Sequence, residues 1–435
     1  MHQYGFQSGK STFQPMIHII DYISKALNNN EFSVGVFLDL QKAFDLVDHS
    51  LLILKLKYLG VQGNSLKWFK TYLKDRKQFV MINGSYSEFF KIINIGVPQG
   101  SILGPLPFLC FINDLYKSND FFNILFADDT TALCKGHDLY VLSNFVNKEL
   151  QKLGSWLRAN KLAINTEKTK IMIFHPRGKF VPDVIFKFDN NDLNCVPNSD
   201  LIVLLQRIFK KSKIPAYKIL GVYLDEHLTF DYHIKVTKSK IARSLFSLKS
   251  AKNILPSHAL KSLYFALIHP YFLYCLPIIG CTNQSNINLL YKQQKIALRL
   301  ITNSKFNAHT QPLFFNLSIL PLPELILQQR LILMHAYVFS FLPPSFNDMF
   351  LTNNSLHGNL YNLRNNDNFL VPGVRTEYLK RFPFYVFPKA WNSLPAEFKN
   401  MNQKLMFKSS IKSFLLSSFE NFQCTRLFCN SCLSF

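Results

Sequence analysis

The chain has 435 residues, of which 48% are hydrophobic and only 17% charged. At about 100–200 residues per domain this length predicts two to four domains, and the composition excludes a disordered, highly charged tail protein. The 49 Lys and Arg residues against 27 Asp and Glu residues give a net charge of +22, which favours a polyanionic partner, either nucleic acid or an anionic membrane surface.

The first 95 residues predict alternating helices and strands. Apolar periodicity indicates the helices, β-branched apolar runs indicate the strands, and Asn83-Gly84 is a typical hairpin turn. In chain order the predicted elements are a helix over 13–29, a buried strand over 32–40, helices over 43–59 and 63–74, and a hairpin over 78–95.

The rest of the chain predicts fewer strands and then helices alone. In order, the sequence predicts a Gly/Pro loop over 96–105, an apolar helix to about Leu115, two strands over 123–134 joined at 127–129, a helix over 138–160, strands at 169–174 and 217–225, and basic helices from 233 onward. Residues 201–300 hold 15 Lys and Arg against 3 Asp and Glu. This order favours an α+β domain followed by a helical one.

No segment predicts secretion or a membrane span. The N-terminus lacks the apolar core of a signal peptide, and the most apolar run, residues 266–281, is short and contains Pro270 and Pro277. Eight cysteines in a chain of this length are typical of reduced thiols rather than a disulfide framework. We therefore expect an intracellular protein, nuclear or cytoplasmic, that is not secreted and has no membrane partner.

Three carboxylates occupy costly positions. Asp39 follows an apolar strand, and Asp128 and Asp129 stand at the tip of a hairpin with apolar flanks. An unpaired carboxylate at a buried strand end is unfavourable and adjacent carboxylates repel, so a divalent cation would relieve both problems. If the sheet brings Asp39 beside Asp128, these oxygen ligands would hold two Mg²⁺ ions about 4 Å apart.

Each carboxylate also has an ordinary explanation. Adjacent aspartates are common in turns, and Asp39 alone would serve as a helix N-cap. Asp45 and Asp48 are expected in the first turn of the following helix, where its dipole stabilises negative charge. The sequence around these residues decides between the alternatives.

Several ordered motifs resemble those of one enzyme family. VFLDLQKAFD (36–45), GVPQGSILGPL (96–106) and FADD (126–129) resemble the palm motifs of reverse transcriptases, most closely those of non-LTR (LINE-type) retrotransposons. QYGFQSGKST (3–12) resembles their fingers motif, WLRANKLAINTEKTK (156–170) the motif after the catalytic hairpin, and YKILGVYLD (217–225) the primer grip. Ala127 fits the family, whereas Pro107 departs from its usual helix-compatible residue at that position.

The resemblance implies an α+β fold with a right-hand polymerase palm. It implies fingers and palm in residues 1–230, an all-α basic thumb in 231–300, and a C-terminal helical extension of uncertain role in 301–435. Relatives usually carry more fingers sequence upstream, so we expect the fingers to be partial and the chain N-terminally truncated.

The resemblance also implies roles for individual residues of the palm. Asp39 and Asp128 would hold two Mg²⁺ ions, or Mn²⁺, with Asp129 and the Leu40 carbonyl as further ligands, and Lys168 would be the general acid for pyrophosphate. Lys161 and Lys170 are alternatives to Lys168. The residues expected to contact the incoming nucleotide or the template are Phe44, which would exclude a 2′-hydroxyl, the loop residues Pro98, Gln99, Gly100 and Ser101, and Lys10 at the triphosphate.

The remaining implied contacts are to nucleic acid. Leu220 and Gly221 would lie against the primer end, and Lys235, Lys240 and Arg243 would contact the primer–template backbone from one helix. Each lysine taken alone is equally well explained as part of a solvated helix face. The charge surplus of residues 201–300 is the stronger indication of nucleic-acid binding.

These observations predict an RNA-directed DNA polymerase that uses an RNA template, a DNA primer and deoxynucleoside triphosphates. The alternative is a catalytically inactive, nucleic-acid-binding remnant of such an element, and a basic membrane-surface protein is a weaker third possibility. The cluster Cys424, Cys429 and Cys432 lacks a fourth ligand, since no His follows His357, so an apolar tail is favoured over a zinc site.

Overall fold

The computed structural model describes the chain in six stretches, and the chain divides into two units. The described residues are 3–87, 90–91, 95–188, 191–195, 216–353 and 368–420. The first unit consists of residues 1–15 and 30–197, and the second of residues 16–29 and 198–435. Helix and sheet are both present, so the predicted mixed class is confirmed.

A five-stranded sheet forms the centre of the first unit. Its strands are β1 (Phe32–Leu38), β6 (Phe122–Phe126), β7 (Asp129–Gly136), β8 (Lys170–Phe174) and β11 (Asn194–Cys195), in the order β11-β8-β1-β7-β6. Strand β1 is the middle strand, and all seven of its residues are buried, which explains its continuous apolar sequence. It runs antiparallel to both β7 and β8.

Short strands and helices surround this sheet. The helices are α2 (His49–Tyr58), α3 (Gly63–Leu73), α4 (Pro105–Ile112) and α5 (Leu139–Ala159), and the short strands are β2 (Lys77–Gln78), β3 (Met81–Ile82), β4 (Ser85–Tyr86), β5 (Phe90–Lys91), β9 (Lys187–Phe188) and β10 (Asn191–Asp192). The predicted hairpin is confirmed, because β3 and β4 pair across Asn83-Gly84. The predicted helix over 138–160 is present as α5, which buries an apolar stripe that includes Leu142, Val146 and Leu150.

The predicted start of the helix over 43–59 is wrong. Residues 41–46 form turns instead of the start of a helix, and Lys42 has a left-handed φ of 42°. Helix α2 begins only after Asp48, which is its N-cap as expected, whereas Asp45 lies outside the helix. Local side-chain hydrogen bonds at Asp48 set the helix start more strongly than the apolar periodicity does.

The second unit is mainly helical, as predicted. Its elements are Phe13–Asn28 (α1, most of which belongs to this unit), a hairpin of Tyr217–Ile219 with Val222–Leu224, and helices at Asp231–Ala251, Ser257–Leu267, His269–Leu273, Leu276–Ile279, Gln284–Ile301, Gln311–Asn316, Leu322–Val338, Pro383–Asn392, Ala396–Lys399 and Lys404–Glu420. The prediction of a single strand over 217–225 is wrong. Leu220 and Gly221 both have positive φ and form a two-residue turn.

The cysteines of the described residues are reduced. Cys110, Cys134, Cys195, Cys275 and Cys281 are free, and burial raises the pKa of the Cys134 thiol to about 12. Cys424, Cys429 and Cys432 lie outside the described residues. Among the helices that the structure describes, none has the length and apolarity needed to cross a membrane.

Asp48 generates a prediction about stability. Its Oδ1 accepts from the Leu51 N–H at 2.9 Å, and its Oδ2 pairs with Lys161 at 2.6 Å. We expect Asp48→Ala to lower the free energy of unfolding by about 1–2 kcal/mol, mainly through the lost cap. Asp48→Asn should lose less, since its side-chain oxygen can still accept from Leu51. Urea unfolding at pH 7 measures both effects.

The pH dependence of this difference provides a check. Burial raises the pKa of Asp48, but the hydrogen bonds from Lys161 and Leu51 outweigh it and the pKa is lowered. The stabilisation is therefore present above the ordinary aspartate pKa and is lost as the pH falls through the folded value. An Asp48→Ala effect that persisted undiminished in acid would contradict this account.

Candidate active site

The register of the central strands brings the three predicted carboxylates to one edge of the sheet. Leu38 at the end of β1 lies opposite Thr130 on β7, so the next pair of positions is Asp39 and Asp129. Asp128 immediately precedes β7 at the tip of the β6–β7 hairpin. Paired positions on antiparallel strands are about 4.5–5.5 Å apart between Cα atoms, so residues 90 positions apart in the chain become neighbours.

The charges in this cluster influence one another. Partial burial raises the pKa of Asp129, and the neighbouring carboxylates of Asp128 and then Asp39 raise it further. The ligand oxygens of the three residues do not all lie within 4.8 Å of one another, so holding one cation between all three requires side-chain rotation. The arrangement is a set of mutually repelling oxygen ligands.

Lys168 is the lysine that approaches this cluster. Its Nζ lies 4.0 Å from Asp39 Oδ2. The two alternatives from the same motif are engaged elsewhere, because Lys161 pairs with Asp48 at 2.6 Å and Lys170 donates to the Glu167 carbonyl. Among the three lysines that the sequence offered for a general acid, the geometry favours Lys168.

The segment around Lys168 is attached directly to the end of β1. The Asn165 N–H donates to the Asp39 carbonyl at 2.7 Å, and the Asp39 N–H donates to Thr169 Oγ1 at 3.3 Å. Leu40 forms an isolated bridge with Ile164. The backbone of residues 39–40 is therefore fixed by hydrogen bonds and a bridge to residues 164–169.

A buried glutamine near the N-terminus holds the hairpin tip. Ala127 has a left-handed φ of 56°. The Gln3 side-chain amide forms hydrogen bonds with both backbone groups of Ala127. Its Nε2 donates to the Ala127 carbonyl at 3.2 Å, and its Oε1 accepts from the Ala127 N–H at 2.9 Å. A Cβ atom on Gly5 would lie 2.3 Å from the Ala127 nitrogen, so only glycine fits there.

Sequence reasoning missed these roles of Gln3 and Gly5. The motif QYGFQSGKST resembles the fingers motif, but nothing in it indicates which of its residues touches the Asp128-Asp129 hairpin, since the partners are 124 positions apart. Lys10, the residue chosen from this motif, donates to the Gln3 carbonyl at 2.7 Å and lies 5.2 Å from the Tyr4 ring centroid. Burial lowers its pKa.

Phe44, in the turns between β1 and α2, makes aromatic contacts with α4 and with the N-terminal segment. Its ring stacks on Phe108 at 4.2 Å between centroids and meets Phe6 edge-on at 6.2 Å. Its carbonyl accepts from the Val97 N–H at 2.8 Å. The ring is half-buried, so it has both a core contact and an accessible part.

The Gly/Pro loop is held by its own polar side chains. Gln99 Nε2 donates to Asp45 Oδ1 at 3.1 Å, which accounts for Asp45 outside the helix. Ser101 Oγ donates to the Pro98 carbonyl at 2.9 Å, and Gly100 adopts a positive φ of 77°. These contacts place Gln99 and Gly100 at an exposed turn.

The remaining predicted residues belong to the second unit. The Tyr274 hydroxyl donates to the Leu220 carbonyl, and a Cβ on Gly221 would lie 2.9 Å from that hydroxyl. Lys235, Lys240 and Arg243 are exposed on the helix Asp231–Ala251. The apolar stripe of this helix, Ile234, Ile241, Leu245 and Leu248, is buried. The basic residues thus form a free helix face in that unit.

The chain is similar in sequence to one protein family and to several known proteins. The family model described as reverse transcriptase (RNA-dependent DNA polymerase) matches residues 1–224. The probable RNA-directed DNA polymerase from transposon BS of Drosophila melanogaster is 29% identical over 322 residues, which cover 70% of this chain and 33% of that protein. The RNA-directed DNA polymerase from mobile element jockey of the same fly is 29% identical over 321 residues, covering 71% of this chain and 32% of that protein.

The corresponding jockey protein of Drosophila funebris is 25% identical over 328 residues, which cover 73% of this chain and 33% of that protein. The chain therefore spans about a third of the length of these curated relatives. Among solved structures, a telomerase from Candida albicans in complex with a fragment of telomeric RNA aligns with a TM-score of 0.27 and 11% identity, covering 75% of this chain and 53% of that one. A score this low supports no statement about the fold.

The family match covers more than half of the 435 residues and includes every residue of the carboxylate cluster and its supports. The relatives come from the transposable elements whose motifs the sequence resembles. The chain belongs to the reverse transcriptase (RNA-dependent DNA polymerase) family, and its resemblance to the enzymes of non-LTR retrotransposons is confirmed.

Proposed function

We propose that this chain extends a DNA primer on an RNA template, using deoxynucleoside triphosphates, as an RNA-directed DNA polymerase of a non-LTR retrotransposon. The observation that carries the proposal is the convergence of Asp39, Asp128 and Asp129 at the ends of paired strands. In this proposal residues 1–230 form fingers and palm, 231–300 the thumb, and 301–435 an extension. A nuclear or cytoplasmic location stays a prediction.

The residues of the cluster fit divalent cations. Three carboxylates offer the hard oxygen ligands that Mg²⁺ prefers. Burial and, after it, the charges of Asp128 and Asp39 raise the pKa of Asp129, and a bound positive charge would offset both effects. Asp39 and Asp128 would hold two Mg²⁺ ions, or Mn²⁺, with Asp129 and the Leu40 carbonyl as further ligands. When bound, the ions would activate the primer 3′-hydroxyl and neutralise charge on the departing pyrophosphate.

The side chains would then orient the reactants. The primer oxygen forms a bond to the α-phosphorus of the nucleotide as the bond to pyrophosphate breaks on the opposite side. Lys168, 4.0 Å from Asp39, would deliver a proton to the leaving pyrophosphate. The Phe44 ring would lie under the sugar and leave no room for a 2′-hydroxyl.

Other residues would position nucleic acid and nucleotide. Gln99 and Gly100 would contact the incoming nucleotide or template, and Lys10 the triphosphate. Leu220 and Gly221 would support the primer end. The exposed Lys235, Lys240 and Arg243 would contact backbone phosphates, which need only positive charge and carry no sequence information.

Primer extension tests the function. We expect the wild-type chain to extend a DNA primer on an RNA template with Mg²⁺, and Asp128→Asn to reduce the rate at least about 100-fold because it removes a metal ligand. Asp183→Asn is the matched control, since Asp183 is an exposed aspartate of the same unit outside the cluster. Binding of the primer–template without extension by either protein would support the inactive remnant instead.

The charge repulsion generates a second prediction. In metal-free buffer at pH 7, Asp129→Asn should raise the thermal midpoint, by up to about 2 °C, because it removes a disfavoured negative charge. Mg²⁺ or Mn²⁺ should raise the midpoint of the wild type and raise that of the variant less. Differential scanning fluorimetry with a cation titration measures both.

The sign of the pH effect follows from the direction of the shift. A carboxyl group with a raised pKa favours the folded state below its ordinary value, and this contribution is lost as the pH rises through the folded value. The advantage of Asp129→Asn should therefore be present at neutral pH and disappear in acid. A cation response that is identical in the two proteins would exclude Asp129 from the cation site.

The contact of Gln3 with Ala127 makes Gln3 a positioning residue for Asp128. Gln3→Ala removes both hydrogen bonds to Ala127, and we expect the extension kcat to fall about tenfold while the KM for primer–template stays constant. Gln3→Glu keeps the acceptor but loses the donor, so it should recover part of the rate. If each variant loses stability but retains kcat per folded molecule, Gln3 has only a structural role.

A further inference from the structure

Helix α3 and the residues after it carry a positive surface. Residues 63–77 contain five basic side chains, Lys67, Lys70, Lys74, Arg76 and Lys77, and one acidic side chain, Asp75. The lysines are all exposed, and the helix buries only Leu66 and Leu73. Most of its circumference therefore faces solvent.

Flat groups line one side of this helix. The Trp68 ring stacks on Tyr72 with centroids 5.3 Å apart and planes 11° apart, and the Arg76 guanidinium lies 5.1 Å from the Tyr72 ring centroid. Trp68 and Tyr72 are spaced by four and lie along one line of the helix. Arg76 follows the end of the helix at Leu73, and its Nη1 donates to the Tyr72 carbonyl at 3.4 Å. We call Lys67, Trp68, Lys70, Tyr72 and Arg76 the α3 surface.

The Trp68 side chain does not pack in the hydrophobic core. Its side chain is 48% exposed, whereas Trp391 is 4% exposed, and of the aromatic residues of α3 it is Phe69 and Tyr72 that pack against the hydrophobic core of the unit. An exposed tryptophan beside uncompensated positive charge is typical of a binding surface.

The positive charge has little local compensation. Lys74 and Asp75 are 3.9 Å apart, and within the described part of the chain neither Lys67 nor Lys70 has an ion-pair partner. A phosphate backbone would supply the missing negative charge, and unpaired bases would supply ring faces for Trp68. A protein partner is less well matched, because lysines are depleted in the cores of protein interfaces.

The α3 surface adjoins the Gly/Pro loop. The Tyr72 hydroxyl lies 3.3 Å from Ser101 Oγ, which donates to the Pro98 carbonyl at 2.9 Å. Under the proposed function this loop contacts the nucleotide and template. A strand that passes the loop would therefore reach Tyr72 and then Trp68 along the same helix.

We propose that the α3 surface binds the unpaired RNA template next to the proposed polymerase site. One base stacks on Trp68, and Lys67 and Lys70 contact the phosphates. This inference rests on the proposed function for its ligand, but it concerns binding and can be tested without catalysis.

Fluorescence anisotropy of a labelled 20-nucleotide oligouridylate tests the stacking. With the full chain, Trp68→Ala should weaken binding at least about fivefold, and Trp68→Tyr should recover most of the affinity, because any aromatic face can stack on a base. Phe180→Ala is the matched control, since Phe180 is an aromatic residue of the same unit that is 82% exposed. An unchanged affinity in folded Trp68→Ala, or an equal loss in Phe180→Ala, would overturn the proposal.

The salt dependence tests the phosphate contacts. Each contact to single-stranded nucleic acid contributes about 0.7 to the slope of log K against log salt, so Lys67→Gln with Lys70→Gln should reduce the slope by about 1.4. The control Lys148→Gln, at an exposed position of α5, should change the slope of log K against log salt less or not at all. A slope unchanged by the double substitution would exclude the lysines as phosphate contacts.

Primer extension separates this proposal from the proposed function. Asp128→Asn should bind the oligouridylate with wild-type affinity. Trp68→Ala should bind it more weakly, and its extension rate should fall more on templates with long single-stranded overhangs than on templates with short ones. If the wild type does not extend primers but Trp68→Ala still weakens oligouridylate binding, only the proposed polymerase function is contradicted. If Trp68→Ala extends primers normally and binds the oligouridylate as tightly as the wild type, only the proposed role of the α3 surface is contradicted. Binding of a protein partner to the α3 surface instead of RNA would also contradict that role.

Discussion

The pairing register between β1 and β7 is the constraint on which the candidate site depends. Leu38 lies opposite Thr130, and this alignment puts Asp39 beside Asp129 at the end of the sheet. A shift of one residue would turn every side chain of β1 to the opposite face. The buried apolar side chains of β1 resist such a shift, so the hydrophobic core that stabilises the sheet also determines where the carboxylates stand.

The site combines repulsion with strong local support. Burial, then the charges of Asp128 and Asp39, raise the pKa of Asp129, and such a cluster persists only when the surrounding structure holds it. Backbone hydrogen bonds join residues 39–41 to residues 163–169, and Gln3 fixes the left-handed Ala127. Each support comes from a different part of the first unit. The surrounding hydrogen bonds therefore hold the carboxylates in place despite their repulsion, which is the arrangement expected of a site that binds cations.

The same unit also presents a positive surface on α3. The acidic cluster suits cations and triphosphate chemistry, while the exposed lysines of α3 suit the phosphates of a long strand. Under the two proposals above, the unit would bind cations through one surface and nucleic acid through the other. In the second unit, Lys235, Lys240 and Arg243 repeat the pattern on a helix whose opposite stripe is buried.

The sequence by itself determined the elements with strong periodicity and the family. The strand β1, the hairpin at Asn83-Gly84 and helix α5 are confirmed, because each depends on local apolar pattern or turn chemistry, and the ordered motifs identified the family before any contact was known. Only the tertiary structure decided that Lys168, and not Lys161 or Lys170, approaches Asp39, that Asp45 binds Gln99, and that Gln3 holds Ala127. Those outcomes depend on contacts between residues far apart in the chain, and local pattern carries no information about which distant groups the folded core will bring within hydrogen-bonding distance.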